Sequence, residues 1–555
     1  MIHSYTLHGK NIILDVNSGS VHAVDPLVFH AIQHWDQVNQ ADFPDVQALI
    51  DAGKLFAPEL PLHPESSRLH PVKAMCLHIA HSCNLTCDYC FANAGKFHGP
   101  EALMSFEVGR QALDFLIANS GTRRNLEVDF FGGEPLLNWE VVKRLVHYAR
   151  TREAETNKRF RFTLTTNGVL VDDEVIAFCN REITNVVLSL DGRREVHDHL
   201  RTTVDGRGSY DIVVPKFQQF VKAREGRSYY MRGTFTHHNT DFLQDILHMN
   251  ALGFQELSME PVVCDAASPH ALTQEDLTQV MREYEALALE MTRSGFSFYH
   301  YTLDLKHGPC FYKRVAGCGV GTEYLAVTPT GDFYPCHQFV GEPQFCMGSV
   351  REGITRPDLR DDFAACSLNA KPECRACWAK YYCAGGCPAN AWHASGSIHG
   401  IYHDGCELFK KRMECAIWLY VTKALQKPAA DCSAAGVNIH FDEDNVLPGL
   451  NQKTLKALNQ KSKPVLLKKS VIDRNLDKHP DVGMNEYNYL LGQALYRDPS
   501  FFPGQKDGYV NLVTQLGVGR NALVLLEMSD KKDNFEIVHL MKINDNNLRR
   551  MKKRS

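Results

Sequence analysis

The sequence predicts an α/β protein: an open, partial (β/α)6 barrel with a small N-terminal module, a cysteine-rich extension and a small α+β C-terminal domain. Three observations predict it. From residue 72 to about residue 304, strand-like and helix-like segments alternate, which is the pattern of parallel βα units. Residues 305–428 lose that rhythm and are rich in Cys, Gly and aromatics. Beyond residue 428 composition and charge shift again. The organisation expected is 1–70, 71–304, 305–428, a linker at 429–436, and 437–555.

Residues 5–15 read as two short β pieces around the turn His8-Gly9-Lys10, and residues 26–35 carry apolar residues at helical spacing. Such a module is either a plain cap or a winged-helix-like element that recognises a peptide. In the barrel the expected strands are 74–79, 126–131, 161–165, 185–190, 229–236 and 255–260, with helices at 106–119, 139–154, 172–180 and 215–223. Six units suit an open barrel better than the closed eight-unit form. In residues 305–428 metal clusters are expected to replace a hydrophobic core.

Bulk properties narrow the class. A chain of 555 residues, 44% hydrophobic and 23% charged, has ample length for several buried cores. No apolar run reaches the ~18–20 residues of a membrane span. The opening Met1-Ile-His-Ser-Tyr5 lacks the charged and apolar regions of a signal peptide, so an uncleaved cytoplasmic protein is expected. Its eighteen cysteines are then more economically metal ligands than disulfides. Residues 429–555 hold 19 Lys+Arg against 15 Asp+Glu, while residues 1–428 hold 41 against 50, so the C-terminal module is the basic part.

The densest chemical signal is Cys83-x3-Cys87-x2-Cys90. A [4Fe–4S] cube takes four protein thiolates, and this run supplies three, leaving one iron open to another ligand. A structural zinc site wants four ligands in paired spacing, and His81 and His98 are off-register for completing one. Each further motif falls just after an expected strand. Gly132-Gly133-Glu134-Pro135 offers close backbone approach and an acceptor for an ammonium group. Thr166-Asn167-Gly168 follows the third strand. Ser189 and Asp191 follow the fourth and suit a carboxylate or a ribose; a capped turn is the plain alternative. Arg232 is a further carboxylate partner. A second constellation runs Cys310-x7-Cys318-x12-Gly331-x4-Cys336, then Cys374-x2-Cys377-x5-Cys383-x3-Cys387, then Cys406. Its quartet alone suits a zinc ribbon or a redox site. Cys76, Cys179, Cys264, Cys346, Cys366, Cys415 and Cys432 lack partners at ligand spacing and read as small buried apolar residues.

Taken together these motifs resemble the radical SAM enzymes with a SPASM extension. Residues 1 to about 425 look like the maturases of the SCIFF peptide, a six-cysteine ribosomal peptide, through residues 14–24, 125–137, 324–340 and 377–380. The resemblance implies that Cys83, Cys87 and Cys90 hold a [4Fe–4S] cluster whose open iron binds S-adenosylmethionine (SAM). Tyr89, Gly132, Gly133, Glu134, Pro135, Asn167, Ser189, Asp191 and Arg232 would contact that cofactor, Glu134 at its amino group. It also implies two auxiliary clusters: an outer one on Cys374, Cys377, Cys383 and Cys406, and an inner one on Cys318, Cys336 and Cys387 with Cys310 as a possible fourth ligand. The reaction implied is thioether formation in a precursor peptide, fed by a low-potential donor such as ferredoxin or flavodoxin.

Two rivals stand beside it. A sulfatase-maturase-like enzyme would oxidise a Cys or Ser to formylglycine, using an Asp base and no N-terminal recognition module. A non-catalytic iron–sulfur carrier or zinc scaffold would leave the three-thiolate site beside Gly132-Gly133 unexplained. Residues 437–555 lie beyond the usual end of the family, near Gln426. Their helix-then-sheet pattern resembles barnase/EndoU/RelE-like nuclease domains, with His479, His539, Lys469 and Arg520 as candidate groups for RNA; a small accessory domain with a basic tail is the plainer reading.

Overall fold

The computed structural model describes residues 1–59, 71–265, 267–303, 315–426 and, with gaps, 439–543. It divides into two compact units, Met1–Thr422 and Lys423–Ser555.

The N-terminus forms a three-stranded antiparallel sheet of β1 (Ile2–Leu7), β2 (Lys10–Asp15) and β3 (Val21–Val24), followed by α1 (Pro26–Gln33) and α2 (Pro44–Asp51). His8 and Gly9 both take positive φ, 45° and 73°, the geometry a two-residue hairpin needs. Strand alternation sends Ile12 and Leu14 into the main core and Ile13 into a separate cluster with Ile32, Val46 and Leu55. Both faces of the sheet are therefore covered. Asp25 caps α1 by accepting from the amides of Leu27 and Val28, with Pro26 in the first turn.

The barrel follows the expected order. Parallel strands β4 (Ala74–His81), β5 (Asn125–Gly132), β6 (Arg159–Thr166), β7 (Asn185–Ser189), β8 (Tyr229–Phe235) and β9 (Glu256–Pro261) are hydrogen-bonded in sequence order. Each is followed by a helix: α3 (Phe106–Asn119), α4 (Trp139–Thr156), α5 (Asp173–Glu182), α6 (Tyr210–Arg224), α7 (Phe242–Ala251) and α8 (Gln274–Glu290). Ser105 and Asp172 cap α3 and α5, and Thr273 and Asp276 form a capping box on α8. Leu77, Phe130, Phe162, Leu188 and Met231 fill the core beneath. The outer edge of β4 pairs with β10 (Tyr324–Val327) instead of closing on β9, which keeps the barrel open. Among the expected barrel elements one boundary differs from the sequence reading by more than two residues. The proline at 215 suggests a helix start, yet α6 begins five residues earlier and keeps Pro215 inside. Burial of Tyr210, Val213 and Val214, with the Tyr210 amide donating to Asp198 at 2.8 Å, outweighs the missing amide bond.

Residues 315–426 hold more conventional structure than expected. β10 and β11 (Asp332–Tyr334) extend the barrel sheet. Phe339, Phe345, Phe363 and Ile398 make a core of their own, and the 24-residue α9 (His403–Gln426) buries Leu408, Ile417 and Trp418 in the main one. Apolar packing thus accompanies the cysteines and does not give way to them.

The second unit is a six-stranded sheet with helix Lys469–Lys478, its core built from Val465, Ile472, Tyr487, Leu512, Val524 and Phe535. The strands are antiparallel except for Val465–Leu467 beside Phe535–Ile543. Among the described residues no helix is long and apolar enough to cross a membrane.

Candidate functional site

The loop leaving β4 carries Cys83, Cys87 and Cys90 over the barrel mouth. Leu85–Cys87 forms a short antiparallel bridge with Arg201–Thr203, setting Cys87 opposite Arg201. β4 slips register against β5 between His78 and Ala80, a bulge of the kind that re-aims chains beside sites. The end of β5 is tied to this loop: the amides of Gly133 and Glu134 donate to the carbonyls of Ala80 (2.8 Å) and Ser82 (3.0 Å). Only glycine fits there. A Cβ on Gly133 would lie 2.2 Å from the Ser82 carbonyl oxygen, and one on Gly132, at φ +126°, 2.4 Å from that of Ala80.

A cavity of ≈210 Å³ opens at this mouth. Its walls include Cys83, Cys87, Tyr89, Cys90, Gly132, Gly133, Asn167, Ser189 and Arg232 of the expected residues. The three thiols are near enough to influence one another's charge, and burial pushes Cys83 up to about 11 and Cys87 up to about 12. Among the described residues no three His, Cys, Asp or Glu side chains are grouped to hold a single metal ion. A cube takes one thiolate per iron, so three soft sulfurs spread around a glycine-walled cavity fit a cluster with one open iron.

Several of the expected contacts are held by protein partners. The Glu134 carboxylate is wholly buried and turned into the barrel wall: it accepts from Thr166 Oγ1 (2.9 Å) and the amides of Leu136 (3.0 Å) and Asn167 (2.8 Å). Burial raises it to about 7. At this mouth it clamps β5 to β6, while the glycine backbone faces the cavity. Pro135 is buried in the short helix that follows. Asp191 is likewise 0% exposed. It accepts from Arg201 Nε (2.7 Å) and Nη2 (3.1 Å), the Tyr89 hydroxyl (2.9 Å) and the Thr234 amide (2.9 Å). Burial alone would push this carboxyl up, but the Arg201 guanidinium holds it below the usual carboxylate range. Asn167 donates to Asn84 Oδ1 at 2.8 Å and lies 3.6 Å from Cys83 Sγ, so it braces the cysteine loop. Arg232 pairs with Glu260 at 2.5 Å.

Sequence reading missed Arg201 and His337, both of which line the cavity. Arg201 lies over the Tyr89 ring at 5.5 Å. His337 packs beside Phe131, and burial lowers it to about 4. The adjacency of His337 to Cys336 was the available signal; for Arg201 it was the basic residue ten positions after Asp191.

The second constellation resolves into two groups. Cys374, Cys377, Cys383 and Cys406 line a cavity of ≈330 Å³ together with Cys387, Lys380 and Arg412, and Pro261 borders both this cavity and the first. Successive left-handed residues Ala384, Gly385 and Gly386 turn the chain between Cys383 and Cys387. Burial raises the Cys383 thiol to about 11, and the charges of Cys406 and Cys374 add to it. Cys336 is buried, and the charges of Cys387 and Cys318 add to burial in pushing its thiol up. Cys366, read from spacing as a plain apolar residue, is buried beside Cys318 and Cys387 and donates to the Ile398 carbonyl at 3.0 Å. Cys310 lies outside the described residues. The N-terminal module reaches this region: His3 stacks on Trp378 (3.8 Å, 4°), and Glu59 pairs with Lys380 at 2.7 Å.

In the second unit, His539 Nδ1 meets Asn475 Oδ1 at 2.6 Å, and Asn475 donates to the Tyr487 hydroxyl at 2.9 Å. Lys469 is paired with Asp473, and His479 and the Arg520 side chain lie outside the described residues.

Residues 77–237 match the Radical SAM superfamily and residues 441–555 match the Large polyvalent protein-associated domain 13. Among curated proteins, the chain is 22% identical over 366 residues to the radical SAM cyclopropyl synthase TigE of Paramaledivibacter caminithermalis, covering 61% of this chain and 72% of that protein. It is 25% identical over 337 residues to a cysteine-type anaerobic sulfatase-maturating enzyme of Clostridium perfringens, covering 55% and 85%. Among solved structures, native anSMEcpe with bound AdoMet superposes with a TM-score of 0.55 at 20% identity, covering 64% of this chain and 99% of that one. The same protein with AdoMet and the Kp18Cys peptide gives 0.54 at 20% identity, covering 64% and 100%. These likenesses establish the fold.

Proposed function

We propose that this radical SAM enzyme, related to the SPASM-type peptide modifiers and the sulfatase maturases, installs Cys thioether cross-links in a ribosomally made six-cysteine precursor peptide of the SCIFF type. The observation that carries the reading is the pairing of two cysteine-lined cavities that share Pro261, with an N-terminal module seated on the second. When bound, the iron–sulfur clusters and SAM supply reductive SAM cleavage, hydrogen-atom abstraction and ligation of a substrate thiolate.

The chain's own residues do the positioning. Cys83, Cys87 and Cys90 would hold the first cluster, and the Gly132-Gly133 backbone would take the amino group of SAM. Arg201, held by Asp191 and Tyr89, and Ser189 would take its carboxylate. Cys374, Cys377, Cys383 and Cys406 would hold the outer auxiliary cluster, and Cys318, Cys336 and Cys387 the inner one. The apolar wall of Phe131 and Pro261 would limit water at the reacting carbon. Strand β3, bonded only to β2 among the described strands, offers an edge to which an extended leader peptide adds as a further strand. Ferredoxin or flavodoxin is the proposed electron donor. The match in residues 441–555 names no activity, and none is assigned to them.

The formylglycine reading asks for an aspartate base at the cavity. Among the described residues lining it, the carboxylate and imidazole groups are Glu260 and His337, and no aspartate is present. Coexpression with a six-cysteine precursor under anaerobic conditions tests the proposal. The expected product is lighter by two hydrogens per cross-link and keeps all its sulfur. SAM cleavage without that product, or with loss of a substrate sulfur, would overturn it.

A further inference from the structure

A buried lysine stands between the two auxiliary cysteine groups. Lys371 is 3% exposed and immediately precedes the helix Pro372–Ala376 that carries Cys374. Its Nζ donates to the Gly385 carbonyl at 3.1 Å. Gly385 sits midway in Cys383-Ala-Gly-Gly-Cys387, the link from the outer group to the inner. Among the described residues no carboxylate pairs with Lys371, although Lys380, equally buried on the same segment, has Glu59. A buried ammonium is retained only where an opposite charge meets it. The geometry sets it among the cysteines: it lies three residues before Cys374, and its ammonium is bonded midway between Cys383 and Cys387.

We propose that Lys371 is the counter-charge shared by the two auxiliary clusters and that it holds both reduction potentials up together. The inference rests on reading these cysteines as cluster ligands. Thiolate-bound cubes are net anionic, and each added electron deepens the charge; a fixed cation nearby favours the reduced state, since net charge and hydrogen bonding set such potentials. Lying between the groups, one cation acts on both. The Cys83/Cys87/Cys90 site, at the barrel mouth, has Arg201 as its own cation.

The test is an EPR-monitored redox titration of the reconstituted full chain, with an iron count, for the parent and for Lys371→Gln, Lys371→Met and Lys371→Arg. In the Gln and Met variants both auxiliary clusters are expected to become about tenfold harder to reduce, which is about 59 mV for a one-electron couple. Lys371→Arg stays near the parent, and the SAM-site cluster is unmoved in all three. Unchanged auxiliary potentials in fully loaded Gln and Met variants would overturn the inference and leave the proposed function standing. Loss of auxiliary iron in Gln and Met but not Arg identifies the charge as what retains the clusters; loss in all three makes Lys371 a packing residue and refutes the proposal. A parent that loads only about four irons would instead remove the reading of the auxiliary sites itself.

Discussion

Replacing Asp191 with asparagine keeps the side chain's shape and removes its charge. In the parent its two oxygens accept from Arg201 twice, from Tyr89 and from the Thr234 amide. An amide has one accepting oxygen, so its NH2 must face a donor, and Arg201, only 12% exposed, loses its counter-charge. Hydrogen bonds to charged groups contribute about 1.5–3 kcal/mol each, and breaking a buried ion pair from one side destabilises by about 3–5 kcal/mol. For the unit Met1–Thr422, an unfolding entropy of about 2.1 cal/mol/K per residue converts this to a fall in Tm of about 3–6 °C. Arg201 also lines the cavity, so SAM affinity should fall at least about tenfold, as the loss of one charge-assisted contact implies. Anaerobic calorimetry and equilibrium SAM binding read the two effects. Adding Arg201→Met should recover about 2 kcal/mol of the stability, because no charge is then left unpaired. An Asp191→Asn protein that melts within about 1 °C of the parent and binds SAM as tightly would refute this account of the site.

Other tests follow from the same geometry. Gly133→Ala sets a methyl 2.2 Å from the Ser82 carbonyl oxygen and 3.0 Å from Gly95 Cα, both backbone, so the cysteine loop must shift; an iron count should show about four irons lost with auxiliary loading kept. Burial holds Cys83, Cys87 and Cys383 at about 11, about 12 and about 11, so each is protonated at neutral pH before iron binds. Apparent iron affinity should therefore rise with pH, about tenfold per unit for each thiol that must lose its proton, and loading at pH 8.5 should exceed loading at pH 7 in parallel reconstitutions. Asn475→Ala removes the donor to the buried Tyr487 hydroxyl in the second unit; an unpaired buried group costs about 1–3 kcal/mol, about 4–10 °C for a unit of this size, visible by calorimetry of the full chain.

The sequence by itself determined the order of the barrel's strands and where the first three cysteines meet. Strands β4 to β9 were legible because each is an apolar run between turn residues, in steady alternation with helical patterns. That Cys83, Cys87 and Cys90 meet at one cavity was legible because the three sit within one loop, so their spacing is written in the chain. The second constellation was legible as a concentration of cysteines, but its division into two groups, which draws Cys318, Cys336, Cys387 and Cys406 from separate segments, came from the resemblance and not from spacing.

Only the tertiary structure decided which polar groups face the cavity. Glu134 and Asp191 stand at the strand ends where a ligand contact is expected, but the barrel packs β5 against β6 and β7 against β8, and both carboxylates are consumed in holding those walls. Arg201, Lys371 and Cys366 gain their places from neighbours far along the chain: Cys87 across a strand bridge, Gly385 across a turn, Cys318 across a loop. Pro215 stays inside a helix because Tyr210 is anchored by Asp198. Spacing records what one loop or one strand can bring together. Burial, and the partners that burial demands for every charge, is settled by packing between segments, which local pattern records only faintly.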